Sequence, residues 1–399
     1  MLPNPYTPGG RPRVFVGRER ERGEIRDRLA RVIAFGEMAG PLSIVTGPRG
    51  LGKTSLLRDI ADQAAADGFV VAWVAGVKRQ PLLPELAARV RSALERADVL
   101  TTPHARARFT ELALRLNVGI GSIETKFAPV RSEGAFAGQL DVEELLHEAS
   151  QSVRSRGGAG LLILIDELHA PLDARTSSDP APDPAALRDI GMLLNAVQNM
   201  EAERERFPLA VVGAGLPQTM GLLTRAATFG ERTNEIVLEE LDAPTSQAVL
   251  VEPARQLDVG WSDEAIALAV GRADGYPHAL QVIGSAAWEA ARPEEGSRIE
   301  VADVERGWPK AEQQMASMFR ARWEAATAYE RRILRAMAEI GGDAVLRRDV
   351  AQRMGVASAD MSVARASLIS KGIIEAAGYG RLRFTIPGFG EFVLARGDD

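Results

Sequence analysis

The sequence predicts an α/β fold: a parallel sheet wrapped by helices, then a smaller helical region, then a winged helix. Short apolar runs bounded by glycine recur through the first 240 or so residues, as expected of strands buried on both faces. Helical patterns separate these runs, so strand and helix alternate as right-handed βαβ units. Toward the C-terminus the order changes to three short helical patterns followed by two strands, the outline of a winged helix.

The elements follow in order. Residues 1–12, rich in Pro and Gly, read as an extended N-terminal arm. "VFVGRERERGEIRDRLARVIAF" then turns helical, with apolar positions at Ile25, Leu29, Val32 and Ile33. "PLSIVTG" (41–47) and "GFVVAWVAG" (68–76) are strands, with the helical patterns "LLRDIADQAAA" and "LPELAARVRSALERA" between and after them. Residues 101–140 break the alternation: "LNVGIGSIETKFAPV" alternates like a β-hairpin, and the stretch reads as an insertion. A helix near 141–156 leads to "GLLILIDELHA" (160–170), the most apolar strand of the chain. "PLDARTSSDPAPDPA" (171–185) is proline-rich and acidic, as expected of a mobile loop. A helix near 185–206, the strand "LAVVGAGLP" (209–217) and "NEIVLEEL" (234–241) complete a core spanning 13–242. Residues 243–310 read as a small helical bundle, a connecting helix runs around 301–323, and the winged helix occupies 320–396.

With 399 residues the chain has room for two or three cores, and a net charge of −6 argues against a surface coated for nucleic acid. The absence of cysteine excludes disulfides, thiolate catalysis and cysteine-based zinc sites. Only four histidines occur, none at helical ligand spacing, so magnesium carried by a nucleotide is the one metal expected. The opening has no apolar stretch like that of a secretion signal, and no run approaches the roughly 20 apolar residues of a membrane helix. A cytoplasmic protein without a membrane partner is the expectation.

The chemistry is concentrated in "GPRGLGKTS", Gly47 to Ser55, which satisfies G-x4-GK[ST] between a strand and a helix. Gly47, Gly50 and Gly52 let backbone N–H groups curl around phosphate, and the following helix N-terminus adds its positive end. Lys53, one of five lysines in the chain, supplies a cation, Thr54 a magnesium-ligating hydroxyl, and Ser55 completes the turn. ATP or ADP with Mg2+ is the implied cofactor. Asp166 and Glu167 end "LLILI" as an acidic pair suited to order magnesium and to activate water, respectively. His169, close behind, reads as a structural or loop residue.

Together these segments resemble the AAA+ superfamily of P-loop ATPases, and within it the initiator-like and STAND-like ATPases with a C-terminal winged helix. The segments are "NPYTPGG", "FVGRERE", the P-loop, "LIDELH", "VVGAGLP", "GYPHALQ" and "ARASLISKGII" with "FTIPGF". The resemblance implies an AAA+ core, a small helical lid at 243–310, and ATP hydrolysis to ADP and phosphate with Lys53 and Glu167 in catalytic roles. It implies that the "VGRERE" box, with Val16 and Gly17, runs past the adenine, and that Pro277 of the lid packs near the base. It further implies an arginine reaching a neighbouring subunit's γ-phosphate in an ATP-dependent homo-oligomer; Arg232 is best placed, with Arg225 second.

Two departures bear on turnover. Val212 to Gly215 end their strand without the polar side chain that would help hold the attacking water, leaving Gln218 or Thr219 as substitutes and hydrolysis slow. The lid reads Gly275-Tyr276-Pro277-His278 where many AAA+ proteins place an arginine on the nucleotide. From Thr327 to Arg396 eleven basic residues stand against seven acidic ones, a local excess that favours duplex DNA as a partner. Arg347, Arg348, Arg365, Arg381 and Arg383 are the candidates for phosphate contacts. The alternative is a STAND-like switch, in which the winged helix packs on the ATPase core and is released by nucleotide to bind a protein.

Overall fold

The computed structural model of the chain describes residues 2–78, 80–118, 134–172, 182–227 and 232–396. They form two compact units interleaved along the sequence: Arg18–Thr46 with Leu56–Val237, and Met1–Gly17 with Gly47–Ser55 and Leu238–Asp399.

The first unit is the sheet unit. Its elements are α1 (Glu19–Phe35), β1 (Ser43–Thr46), α2 (Lys53–Ala66), β2 (Phe69–Ala75), α3 (Leu82–Arg96), α4 (Pro103–Val118), α5 (Gly134–Ser155), β3 (Gly160–Asp166), α6 (Pro184–Ala202), β4 (Leu209–Gly215), α7 (Thr219–Ala226) and β5 (Asn234–Val237). The five strands lie in the order β2-β3-β4-β1-β5, all parallel. Strands β3 and β4 are buried along their whole length, which is why their sequences are continuous apolar runs rather than alternating ones. Thr46 pairs with Gly215 and Ile165 with Gly213, so β1, β3 and β4 end along one edge of the sheet. In an open parallel sheet that carboxyl edge is where ligands bind.

Helix α1 buries Ile25, Leu29 and Val32, whereas Ile33 is 41% exposed. Helix α2 packs Leu56, Leu57 and Ile60 inward and stacks the Arg58 guanidinium over Trp73 of β2. Asp189 of α6 is buried and accepts the Leu82 and Leu83 N–H groups, giving the first turn of α3 the partners that its Pro81 N-cap cannot supply.

The hairpin expected from Leu116 does not begin there. Leu116, Asn117 and Val118 finish α4, because Phe109, Leu112 and Leu116 make one apolar helical face that is buried in the core. The rest of that hairpin, from 119 on, lies outside the described residues, as do positions 173–181 of the proline-rich loop. The helix expected near 141 starts at Gly134.

The second unit contains α8 (Ala243–Arg255), β6 (Gly260–Trp261), α9 (Asp263–Ala273), α10 (Pro277–Ala291), β7 (Arg298–Ile299), α11 (Val301–Ala325), α12 (Ala328–Ile340), β8 (Val345–Leu346), α13 (Arg347–Met354), α14 (Ser362–Ser370), β9 (Ile374–Ala376), β10 (Arg381–Phe384) and α15 (Phe389–Ala395). Side-chain caps fix the helix starts: Asp242 accepts Thr245 N–H, Ser262 accepts Ala265 N–H, and Thr327 pairs reciprocally with Glu330. Helix α11 runs without a break through the 310–320 interval that separates lid from winged helix in the sequence.

The described N-terminal residues carry no helix or strand and are anchored by side chains. Tyr6 is 3% exposed, its hydroxyl donates to the Leu250 carbonyl, and its ring meets Trp261 and Trp288 edge-on. Asn4 donates to Ser285, and Gln281 accepts the Thr7 N–H. Farther along the chain, β8, β10 and β9 form an antiparallel sheet beside α12–α14, one strand more than the sequence suggested. Helix α15, also unexpected, buries Phe389 among Phe319, Phe384 and Phe392.

Candidate functional site

The segment after β1 has the shape of an anion cradle. Gly50 (φ +88°) and Gly52 (φ +91°) take left-handed backbone conformations that side-chain-bearing residues rarely adopt, and a Cβ on Gly52 would stand in open space. Lys53 opens α2, is buried, and donates its Nζ to the Gly47 and Pro48 carbonyls at 2.7 Å each. Those bonds hold the ammonium folded over the loop, where a phosphate in the cradle would receive it. Thr54 is exposed and Ser55 half-buried in the same first turn. Glycine-shaped turn, helix N-terminus and lysine together fit a nucleotide's phosphates, and the Thr54 hydroxyl is chemically suited to magnesium.

Residues at the start of α10, in the same compact unit as the loop, lie directly on it. Tyr276 is 2% exposed and its hydroxyl donates to the Arg49 carbonyl at 2.6 Å. A Cβ on Gly50 would stand 2.0 Å from that hydroxyl, so the close approach is possible only because position 50 is glycine. Gly275 (φ +69°) turns the chain ahead of α10, accepts the Leu241 N–H, and leads to Pro277 at the first helical turn. Val16 is half-buried, and Gly17 (φ +80°) lies so close to Thr245 of α8 that a Cβ would come within 2.4 Å of its Cγ2. Burial, then the Arg322 charge, pushes the His278 imidazole below its usual range, so it is neutral at pH 7.

In the sheet unit, β3 ends in the acidic pair. Asp166 is buried and its Oδ1 accepts the Glu167 N–H at 3.0 Å. Glu167 turns left-handed (φ +52°), and its carbonyl lies where a Cβ on Gly76 would come within 2.3 Å. His169, buried at 1% exposure, spans the ends of two strands. Its Nδ1 accepts the Leu216 N–H at 3.4 Å, which leaves the proton on Nε2, 3.3 Å from Glu167 Oε2. The sequence treated His169 as structural; its position makes it a brace for the glutamate. Thr219, a candidate to hold water, is fully buried and donates its hydroxyl to Leu216, so that proton is already committed.

The candidate arginines scatter. Arg225 is exposed in the last turn of α7, and Arg232 is exposed two residues before β5. Arg348 is 80% exposed beside Asp349, Arg347 begins α13, Arg365 is half-buried in α14, and Arg381 donates to the Ala344 carbonyl. Arg383 pairs with Glu375 through its Nε at 2.7 Å, which uses up much of its capacity for another anion. Tyr379, fully exposed at the β9–β10 turn, and the half-buried Arg322 were not singled out in the sequence.

Residues 14–212 match the AAA ATPase domain family, and residues 316–393 match a domain of unknown function, DUF8462. No curated protein matches the chain. Among solved structures, the chain is similar to the Walker-type ATPase paby2304 of Pyrococcus abyssi, with a TM-score of 0.61 and 15% identity over 95% of this chain and 96% of that one. The Thermotoga maritima RuvB Holliday junction branch migration motor gives a TM-score of 0.44 at 18% identity, over 92% of each chain. The Aeropyrum pernix ORC1 protein in complex with DNA gives 0.43 at 16%, over 97% of this chain and 94% of that one. Among the described residues no helix is long and apolar enough to cross a membrane. The parallel sheet, the loop at its carboxyl edge and the family match agree: residues 14–212 are an AAA ATPase domain, with the P-loop fold of the AAA+ type.

Proposed function

We propose that the chain binds Mg-ATP on Gly47–Ser55 and hydrolyses it to ADP and phosphate. The observation that carries this reading is the glycine-shaped loop with Lys53 held over it at the start of α2. In this reading Lys53 moves from the Gly47 and Pro48 carbonyls onto phosphate oxygens. Thr54 and Asp166 hold magnesium, which neutralises phosphate charge when bound. Glu167, oriented by His169, takes the proton of an attacking water. Val16, Gly17 and Pro277 line the base, and Arg232 serves a neighbouring copy in an ATP-dependent oligomer.

The reading extends to DNA. Helices α12–α14 with β8, β9 and β10 are consistent with a winged helix, and the exposed Arg348, Arg381 and Tyr379 suit sequence-independent contact with a duplex backbone. A second reading, the nucleotide-controlled switch, is favoured by one observation: the P-loop and everything from Leu238 onward fall in a single compact unit.

Steady-state ATP turnover with and without long duplex DNA, at low and moderate salt and with Lys53→Ala as the blank, tests both. A salt-sensitive rise on adding DNA supports the first reading. Slow turnover without response, and ADP retained through purification, supports the switch. Turnover in Lys53→Ala equal to that of the unaltered chain overturns the site. Glu167→Gln is expected to bind ATP and fail to hydrolyse it.

A further inference from the structure

Helix α11 carries a charged side chain that the nucleotide reading leaves without a task. Arg322, in its last turn, is largely withdrawn from solvent and hydrogen-bonds to the Tyr276 hydroxyl. Its Nη1 is buried and has no hydrogen-bond partner among the described residues. Burial works against its charge, and although Tyr276 partly offsets this, the positive Arg49 of the P-loop adds a repulsive neighbour. A half-buried guanidinium with a buried, idle donor beside a second cation is costly unless an anion arrives. The neighbouring loop is shaped to hold one.

The same turn of α11 faces the C-terminal module. Phe319 packs on Phe389 and Phe392 of α15, with ring centroids 5.6 and 5.5 Å apart. The Trp323 carbonyl accepts the Arg331 Nε, and the Arg331 guanidinium lies over the Trp323 ring. Arg322 and Phe319 are three residues apart on one rigid helix, so a shift of one is felt by the other.

We propose that Arg322 binds a phosphate oxygen of the P-loop nucleotide and thereby couples the nucleotide to residues 327–396. This deepens the nucleotide-binding reading and rests on it. The arginine is supplied by the helix that leads into the C-terminal module rather than by the lid helix, where the corresponding residue is the neutral His278. Tyr276 holds Arg322 in reserve: its hydroxyl bridges the guanidinium and the Arg49 carbonyl when no phosphate competes.

The test measures binding of fluorescent mant-ADP and mant-ATPγS to the full chain and to Arg322→Gln, Arg322→Lys and Lys53→Ala. Hydrogen exchange over residues 327–396 is followed with and without each nucleotide. Arg322→Gln is expected to lose about tenfold or more in affinity for at least one nucleotide, the size of a lost charge-assisted hydrogen bond. Arg322→Lys recovers part of that loss. Nucleotide-dependent protection of 327–396 is present in the unaltered chain and absent in Arg322→Gln. Affinities within twofold of the unaltered chain for both nucleotides, with protection retained, overturn the inference, as does a loss that Lys does not relieve. If the unaltered chain and Lys53→Ala bind nucleotide equally or not at all, the underlying reading fails instead, and the two failures are told apart.

Discussion

Trp261 donates its indole N–H to the Tyr6 hydroxyl at 2.9 Å, joining residues 255 positions apart in the sequence. The same hydroxyl donates to the Leu250 carbonyl, so one oxygen satisfies two buried groups of the helical bundle. Burial pushes the Tyr6 phenol far above its usual range, which keeps that proton in place at any physiological pH. Tyr6→Phe keeps the ring and strands both partners, at an expected loss of about 1–3 kcal/mol. Urea denaturation of the two proteins measures it, and an unchanged midpoint would remove the hydroxyl from the list of stabilising groups.

Gly50→Ala tests the P-loop without touching Lys53. The new methyl must adopt φ +88° and meets the Tyr276 hydroxyl. Nucleotide affinity is expected to fall at least tenfold. Pairing the change with Tyr276→Ala removes the collision but not the left-handed backbone, so recovery is partial. Calorimetric titration with ADP reads each step.

His169 orients Glu167 and touches no phosphate in this reading. His169→Gln is expected to leave ADP and ATPγS affinity within about twofold while turnover drops by roughly ten- to a hundredfold, the scale of a misplaced catalytic group. A parallel loss of binding would mean that the histidine supports the sheet edge as a whole.

Glu330 joins the start of α12 to Lys371. Its Oε2 accepts the Thr327 N–H at 2.6 Å and the Lys371 ammonium at 2.6 Å. Burial alone would raise its pKa, but the bonds to Lys371, Ser367 and Thr327 outweigh it and hold the carboxyl below 4.5. The stabilisation is therefore complete above about pH 4.5 and is lost as acid carries the pH down through the lowered value. Glu330→Gln is expected to cost about 1–3 kcal/mol at pH 7 and progressively less below pH 4.5. Melting of the full chain and the variant at pH 7 and pH 3.5 compares them.

The sheet was legible because strands buried on both faces have no polar alternation to confuse: "LLILI" and "LAVVGAG" read as strands and are strands. The P-loop was legible because its backbone conformations need glycine at fixed spacing. What stayed hidden depends on partners far along the chain. Nothing near Tyr6 in sequence points to Leu250 or Trp261. Asp189 resembles any helical acid until α3 presents its first N–H groups to it. Strand β8 has two residues, too few for a period to appear. Arg322 is one arginine among many, and only its burial beside Tyr276 and Arg49 sets it apart. The start of the expected hairpin, Leu116 to Val118, belongs to α4; the alternation from Leu116 on masked the helical face that Leu116 shares with Phe109 and Leu112.

The anchoring of Tyr6 also sets an order for biosynthesis. Tyr6 leaves the ribosome well before its partners, since Leu250, Trp261 and Trp288 are made more than 240 residues later. Closing a loop of that length costs about 5 kcal/mol of chain entropy, so the tyrosine has nothing to gain from an early search. Residues 18–46 and 56–237 hold a complete five-stranded sheet and can condense while the first 17 wait. A ribosome stalled before α10 would therefore display a nascent chain whose sheet is formed and whose leading aromatic is still in water, a natural handle for a chaperone and an early target for a protease.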